Sequence, residues 1–332
     1  MIELRDNELK ISFPHVHEAA EMSLDFKRTL RIPDDGRDYP LPPGLGSFPI
    51  RHVDDYADRL PELWRKHGGV MLPMHQSEAL WLNFKSDYPF AVKVATGKIN
   101  AITGETWRDG IHRDPQDYMV IPKQPWLDGY CIEEGSIRQF VAMPLGNGYT
   151  VEEQITGEAA HGGLQIVAYP MKAEAYRRMR ERSEMRRRPL DQGYMFKSLD
   201  MMEDMGLAQG GRMRQEVYED PDSFDVWDTR TSSRCFVHIA NSLAWGAITG
   251  TEPPTRPLSA WQYSRAGLPW FDLYGTDGTA LNGAAPFNEV KTVKEMGEEK
   301  GEKPLPENKS LEGDLQHVRV ERSSSRIVRE GL

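Results

Sequence analysis

Residues 137–171 read IRQFVAMPLGNGYTVEEQITGEAAHGGLQIVAYPM. Apolar residues fall on alternate positions: Ile137, Val141, Met143 and Leu145, then Val151 and Ile155, then Leu164, Ile166 and Ala168. Side chains alternate across a strand, so this spacing gives each run one buried and one wetted face. The Asn147-Gly148 pair between the first two runs is a hairpin signal. The spacing predicts strands over 137–145, 149–156 and 164–170, the first two paired through a turn at 146–148.

Working outward, the same texture extends upstream. Met22, Leu24, Phe26, Leu30 and Ile32 share one parity, broken only by Arg28, which predicts a half-buried strand over 22–32. A Pro- and Gly-rich loop follows over 33–49. Val53, Tyr56, Ala57, Leu60, Leu63 and Trp64 recur at helical spacing and predict a helix over 53–66, ended by Gly68-Gly69. Further strands are expected at 69–72, 79–84, 89–95, 117–121 and 129–133, divided by turn residues. Short, evenly spaced strands without strand–helix alternation predict an α+β chain whose body is an antiparallel β-sandwich or barrel.

Downstream the texture changes. Residues 172–186 look helical and strongly basic, the basic run reaching over 172–188 (KAEAYRRMRERSEMRRR), and 191–230 resist assignment. The uncharged run 235–251 (CFVHIANSLAWGAITGT) is too short and too polar for a bilayer span of about 20 residues. It reads as a buried helix or strand–helix segment. Ser259 is placed to cap a short helix through Ala266. From 291 the chain is charged and poor in large apolar residues, and predicts an extended or disordered tail. The expected organisation is therefore an N-terminal segment (1–21), a β-rich body (22–171), a helical and irregular part packed on it (172–290) and a charged tail (291–332).

The chain has 332 residues and a net charge of −10, which argues against whole-surface attraction to nucleic acid or anionic membranes. Only two cysteines occur, Cys131 and Cys235, so there is no disulfide framework and a reducing compartment is expected, with one bridge between them the open alternative. The charged N-terminus lacks the apolar core of a signal peptide. A soluble, cytoplasmic protein without a membrane span is expected.

Six stretches are distinctive together: RTLRIPDDGRDYPLPPGLG (28–46), GGVMLPMHQSEALWLNF (68–84), PFAVKVATGKINAITGE (89–105), PQDYMVIPKQPWLDG (115–129), RQFVAMPLGNGYTVEEQITG (138–157) and SSRCFVHIANSLAWGAITG (232–250). They resemble an uncharacterised family of microbial proteins, sometimes labelled integral membrane proteins. The resemblance covers most of 24–290 and implies one continuous unit. It carries no activity, cofactor or catalytic residue, and its membrane label conflicts with the composition.

No catalytic set is legible. His15, His17 and Glu21 form an H-x-H-x-x-x-E pattern resembling the first metal motif of cupins, where imidazole and carboxylate suit a divalent metal. The second cupin motif is missing, and Leu9 stands where a glycine is expected. No cofactor is predicted beyond such a metal. Cys235 and His238, three apart, have the spacing of a thiolate pair and equally of core residues in a helix. His112, Arg113 and Asp114 offer an imidazole and a carboxylate in one loop. Glu152 and Glu153 are expected on opposite faces of a strand, so they cannot act as an acid–base pair. Trp107 and Trp126 lie in loop-like contexts, where they can stack on a small molecule, a sugar ring or a partner.

Three functions follow. The first is a non-catalytic binding or self-assembling protein using Trp107 and Trp126, with a homo-oligomer as the expected state. The second is a cupin-like metal enzyme, and the third is a nucleic-acid-associated protein acting through 172–188.

Overall fold

The computed structural model describes residues 1–184, 201–273, 279–311, 315 and 317–320. The protein has an α+β, sandwich-like fold dominated by one largely antiparallel sheet of 17 strands among the described residues. The expected strands at 70–74, 79–85, 90–96, 119–121, 129–133, 136–144 and 164–170 are present.

Strand Glu21–Thr29 lies between Glu8–Ser12 and Ala79–Lys85. Ala79–Lys85 leads on to Ser136–Pro144, which pairs along its length with Met201–Arg214. Met201–Arg214 meets Ser233–Ser242, then come Leu164–Pro170 and Phe90–Thr96. The strands enclose one main apolar core, to which Leu24, Phe26, Leu82, Val92, Val94, Phe140, Ile166 and Val237 contribute.

The predicted 137–156 hairpin does not form. Residues 151–156 are a helix, Val151–Thr156, and the partners of Ser136–Pro144 come from elsewhere in the chain. The cause is local. Thr150 accepts from the Glu153 amide while the Glu153 side chain accepts from the Thr150 amide, a reciprocal capping box. Gly157 then closes the helix in the left-handed region at φ 74°. The sheet also runs past residue 171, because Met201–Arg214 and Ser233–Ser242 are among its long strands.

The predicted 53–66 helix is divided. A 3-10 turn, Asp54–Arg59, and a short helix, Glu62–His67, are separated at Pro61, whose ring cannot continue a hydrogen-bonded turn. The run from 235 is a strand followed by helix Trp245–Thr249, as the strand–helix reading expects. Ser259 caps helix Ala260–Arg265. The first part of the charged tail is ordered: Thr292 caps helix Val293–Glu299, and Val293 and Leu311 are buried. The expectations for 185–188, 191–200 and most of the tail beyond Leu311 lie outside the described residues.

Candidate binding surface

Strand Phe90–Thr96 (FAVKVAT) is buried along its whole length. Val92 and Val94 lie on one face of the strand and Ala91, Lys93 and Ala95 on the other, and apolar residues of both faces belong to the main core. Lys93 is opposite Val167, and Val167 is opposite Arg234. Directly opposed residues share a face, so Lys93, Val167 and Arg234 make one row across three strands. The segment 104–117 folds over the Lys93 end of that row.

Lys93 is 1% exposed, and its ammonium holds the segment down from beneath. Its three donors reach the Arg108 carbonyl at 2.6 Å, the Gly110 carbonyl at 2.9 Å and Asp117 Oδ2 at 2.7 Å. An ammonium has three protons, so the set is complete. Asp117 also accepts the His112 amide through Oδ1 at 2.8 Å and meets His112 Nδ1 through Oδ2 at 2.8 Å. Asn100 pins both ends of the upstream turn: its Nδ2 donates to the Asp117 carbonyl, and its Oδ1 accepts the Ile102 and Thr103 amides.

On this base the segment presents a charged, aromatic face. The Lys93 ammonium lies 4.7 Å and the Arg234 guanidinium carbon 4.6 Å from the Trp107 ring centroid. Trp107 Nε1 donates to Asp109 Oδ1 at 3.0 Å, and Arg234 reaches the same oxygen at 3.2 Å. These contacts hold Asp109 below the usual carboxylate range, the Trp107 hydrogen bond being the largest cause. Arg108, Asp109, Arg113, Asp114 and Arg234 are exposed, and His112 is half-buried. Asp117 fixes the imidazole through Nδ1, and Nε2 is the ring's other polar atom.

Sequence reasoning found Trp107 and His112 but not what organises them. The carboxylate beside His112 is Asp117, not Asp114. The available signal was Lys93 itself, a lone charge inside an otherwise apolar strand.

The other candidates are placed as follows. Trp126 belongs to a two-residue strand paired with Leu82 and Asn83 rather than to a loop. His15 and His17 lie in the turn between two strands, not on a strand. His17 Nδ1 accepts the Ala19 amide, its ring packs on Tyr88 and Tyr176, and Glu21 pairs with Lys10 at 2.6 Å. Among the described residues no group of three His, Cys, Asp or Glu side chains has the geometry to hold a metal ion.

Cys235 and His238 sit on a strand, where residues three apart face opposite ways. Cys235 is in the main core and burial pushes its thiol up to about 12. His238 stacks on Trp64 at 4.6 Å, and burial lowers its imidazole to about 4. Cys131 and Cys235 are both free thiols. Glu152 points inward at its helix start and accepts the His161 and Gly162 amides, while Glu153 is spent on the cap. Helix Ala173–Glu184 buries Ala175 and Tyr176 and exposes Arg177, Arg178 and Arg182.

The chain matches no protein-family model, no curated protein and no solved structure. No helix among the described residues is long and apolar enough to cross a membrane.

Proposed function

We propose that this chain is a non-catalytic binding protein whose recognition face is the 104–117 segment with Arg234. The observation that carries the reading is the complete set of Lys93 bonds beneath exposed opposite charges grouped around one half-buried indole. A segment fixed before its ligand arrives loses little conformational entropy on binding. Trp107 supplies a rigid amphipathic surface, and Arg234 and His112 supply directed polar contacts. The ligand class that fits is a polar small molecule or glycan carrying both donors and acceptors.

The test is a glycan and small-metabolite array with wild type, Trp107→Ala and Arg234→Ala, each checked for folding. Binding that both substitutions weaken at least tenfold supports the reading. Ligands retained by both variants, or turnover of a bound compound, contradict it.

The same reading makes the protein a soluble, cytoplasmic homo-oligomer. The exposed arginines of helix Ala173–Glu184 on an acidic chain favour association between copies. Light scattering should show an assembly that salt weakens; a single monomeric mass at every concentration and salt removes this part.

A further inference from the structure

Beyond the 104–117 face, a second cluster stands at the far end of the sheet, where four segments converge. Just past strand Glu21–Thr29 lies Arg31. The turn between Val70–Met74 and Ala79–Lys85 supplies His75, Ser77 and Glu78. The connector before helix Ala260–Arg265 supplies Arg256, and the ordered part of the tail supplies Glu307 and Asn308. Arg31, Ser77, Arg256 and Glu307 line one cavity of about 10 Å³, room for a body the size of one water.

Arg28 and Glu78 neutralise each other beside it. Both are buried, Arg28 Nε donates to Glu78 Oε1 at 2.6 Å, and Arg28 Nη2 reaches the Thr255 carbonyl at 2.7 Å. Arg31 is different. It is 2% exposed, Nη1 donates to Ser77 Oγ, Nη2 donates to Asn308 Oδ1, and Nε has no partner. Glu307 Oε2 is likewise buried and unpartnered. A guanidinium left with an unused buried donor carries a desolvation cost that an oxyanion would offset. Ser77 adds a second sign of a built site: it is a non-glycine residue at φ 73°, held there by its amide bond to the Ala142 carbonyl.

The cover over this cavity is held mainly by side-chain contacts: Asn308 Oδ1 accepts from Arg31, Leu305 packs on a small apolar cluster, Arg37 reaches the Leu311 carbonyl, and Lys309 lies over the Trp261 ring. Glu302, Lys303, Pro304, Pro306 and Lys309 are exposed, and the 3-10 turn Pro306–Asn308 has no buried residue. Leu311 anchors its far end. Lifting the turn would remove Glu307, leaving the buried Asp34 as the remaining carboxylate acting on Arg31 and Glu78, already paired with Arg28, as the one acting on Arg256.

We propose that residues 305–311 are a strap over an oxyanion-binding site built from Arg31, Arg256 and Ser77, with Glu307 occupying the place of a ligand's carboxylate or phosphate group. The guanidinium fork of Arg31 matches both groups in plane and spacing. The site and the 104–117 face are independent, so either reading can fail without the other.

Inorganic phosphate and acetate are titrated separately, at constant ionic strength, into the full-length protein and into Glu307→Gln, Arg256→Gln and Arg31→Lys. Calorimetry gives affinity and thermal melting gives the anion-dependent shift. Glu307→Gln should bind one of the two anions at least tenfold more tightly than wild type, and the preferred anion identifies the ligand's group. Adding Arg256→Gln to that variant should reverse the gain; Arg256 is exposed, so this arm holds even if Arg31→Lys does not fold. Equal affinity in wild type and Glu307→Gln, for both anions, overturns the proposal.

Discussion

Lys93 and Arg31 are both buried cations bonded to a covering segment, and they are satisfied to different degrees. Lys93 has three protons and three acceptors, two of them main-chain carbonyls of the segment it holds. Arg31 has side-chain acceptors for two of its nitrogens, one of them on the strap, and none for Nε. A complete set fixes its cover; an incomplete set leaves the cover replaceable. Hydrogen-bond capacity, more than burial, therefore separates a structural cation from a ligand-ready one.

The largest expected effect compares the two directly. Lys93→Met leaves Asp117 buried without its cation and frees two carbonyls, and should cost about 3–5 kcal/mol in urea unfolding. Adding Asp117→Asn should recover part of that loss, because the stranded charge is then gone. Arg31→Met should cost no more than about 1–2 kcal/mol, since an incompletely bonded cation contributes less. Equal losses at the two sites would break the comparison.

The next effect uses acid. Burial, reinforced by Arg28 and Arg256, lowers the His75 imidazole to about 4. Its folded value lies below its unfolded value, so between pH 6.5 and 4 the unfolded chain binds the proton that the folded chain refuses. Stability therefore falls as pH drops through that window. The His75 share is on the order of 1–2 kcal/mol after allowance for its partial exposure. His75→Asn should flatten the acid limb by that amount while leaving stability at pH 8 nearly unchanged. An unaltered limb would mean that His75 titrates normally and the Arg31 end is more open to water than its burial indicates. His238, buried against Trp64, has the same sign and should persist in this variant.

The smallest effect concerns Ser77. Ser77→Ala keeps the left-handed backbone and removes the acceptor for Arg31. Ser77→Gly removes the same acceptor but relieves the backbone. The glycine variant should be more stable than the alanine variant by about 1 kcal/mol. Identical thermal midpoints would show that the turn stores no strain.

Much of the sheet was legible and some of its most useful members were not. Leu164–Pro170 follows directly from alternation and Gly162-Gly163. Val151 and Ile155 misled because residues four apart suit a helix face as well as one parity of a strand; Thr150-x-x-Glu153 was the deciding signal. Met201–Arg214 was hidden by its glycines. A Cβ on Gly211 would lie 2.3 Å from the Pro33 carbonyl oxygen, and one on Gly206 would lie 2.5 Å from a Thr150 methyl. The residues that make this strand look unlike a strand are those that let it pack. Both buried-cation sites left a trace: Arg28 broke the parity of its strand, and Lys93 interrupted an apolar one. Their partners did not, because Asp117, Arg234, Glu78 and Asn308 meet them only through the fold.

Hydrogen exchange measured on both covers in one sample of the wild-type protein tests the central claim most directly. The amides of Trp107, His112 and Asp117, bonded to the Lys98 carbonyl, Asp117 Oδ1 and the His112 carbonyl, should exchange at rates approaching those of the sheet. The amides of Asn308 and Lys309, bonded only within their own turn, should exchange at least a hundredfold faster. Comparable protection of the two segments would contradict the account, because the strap would then be as firmly held as the face that Lys93 organises.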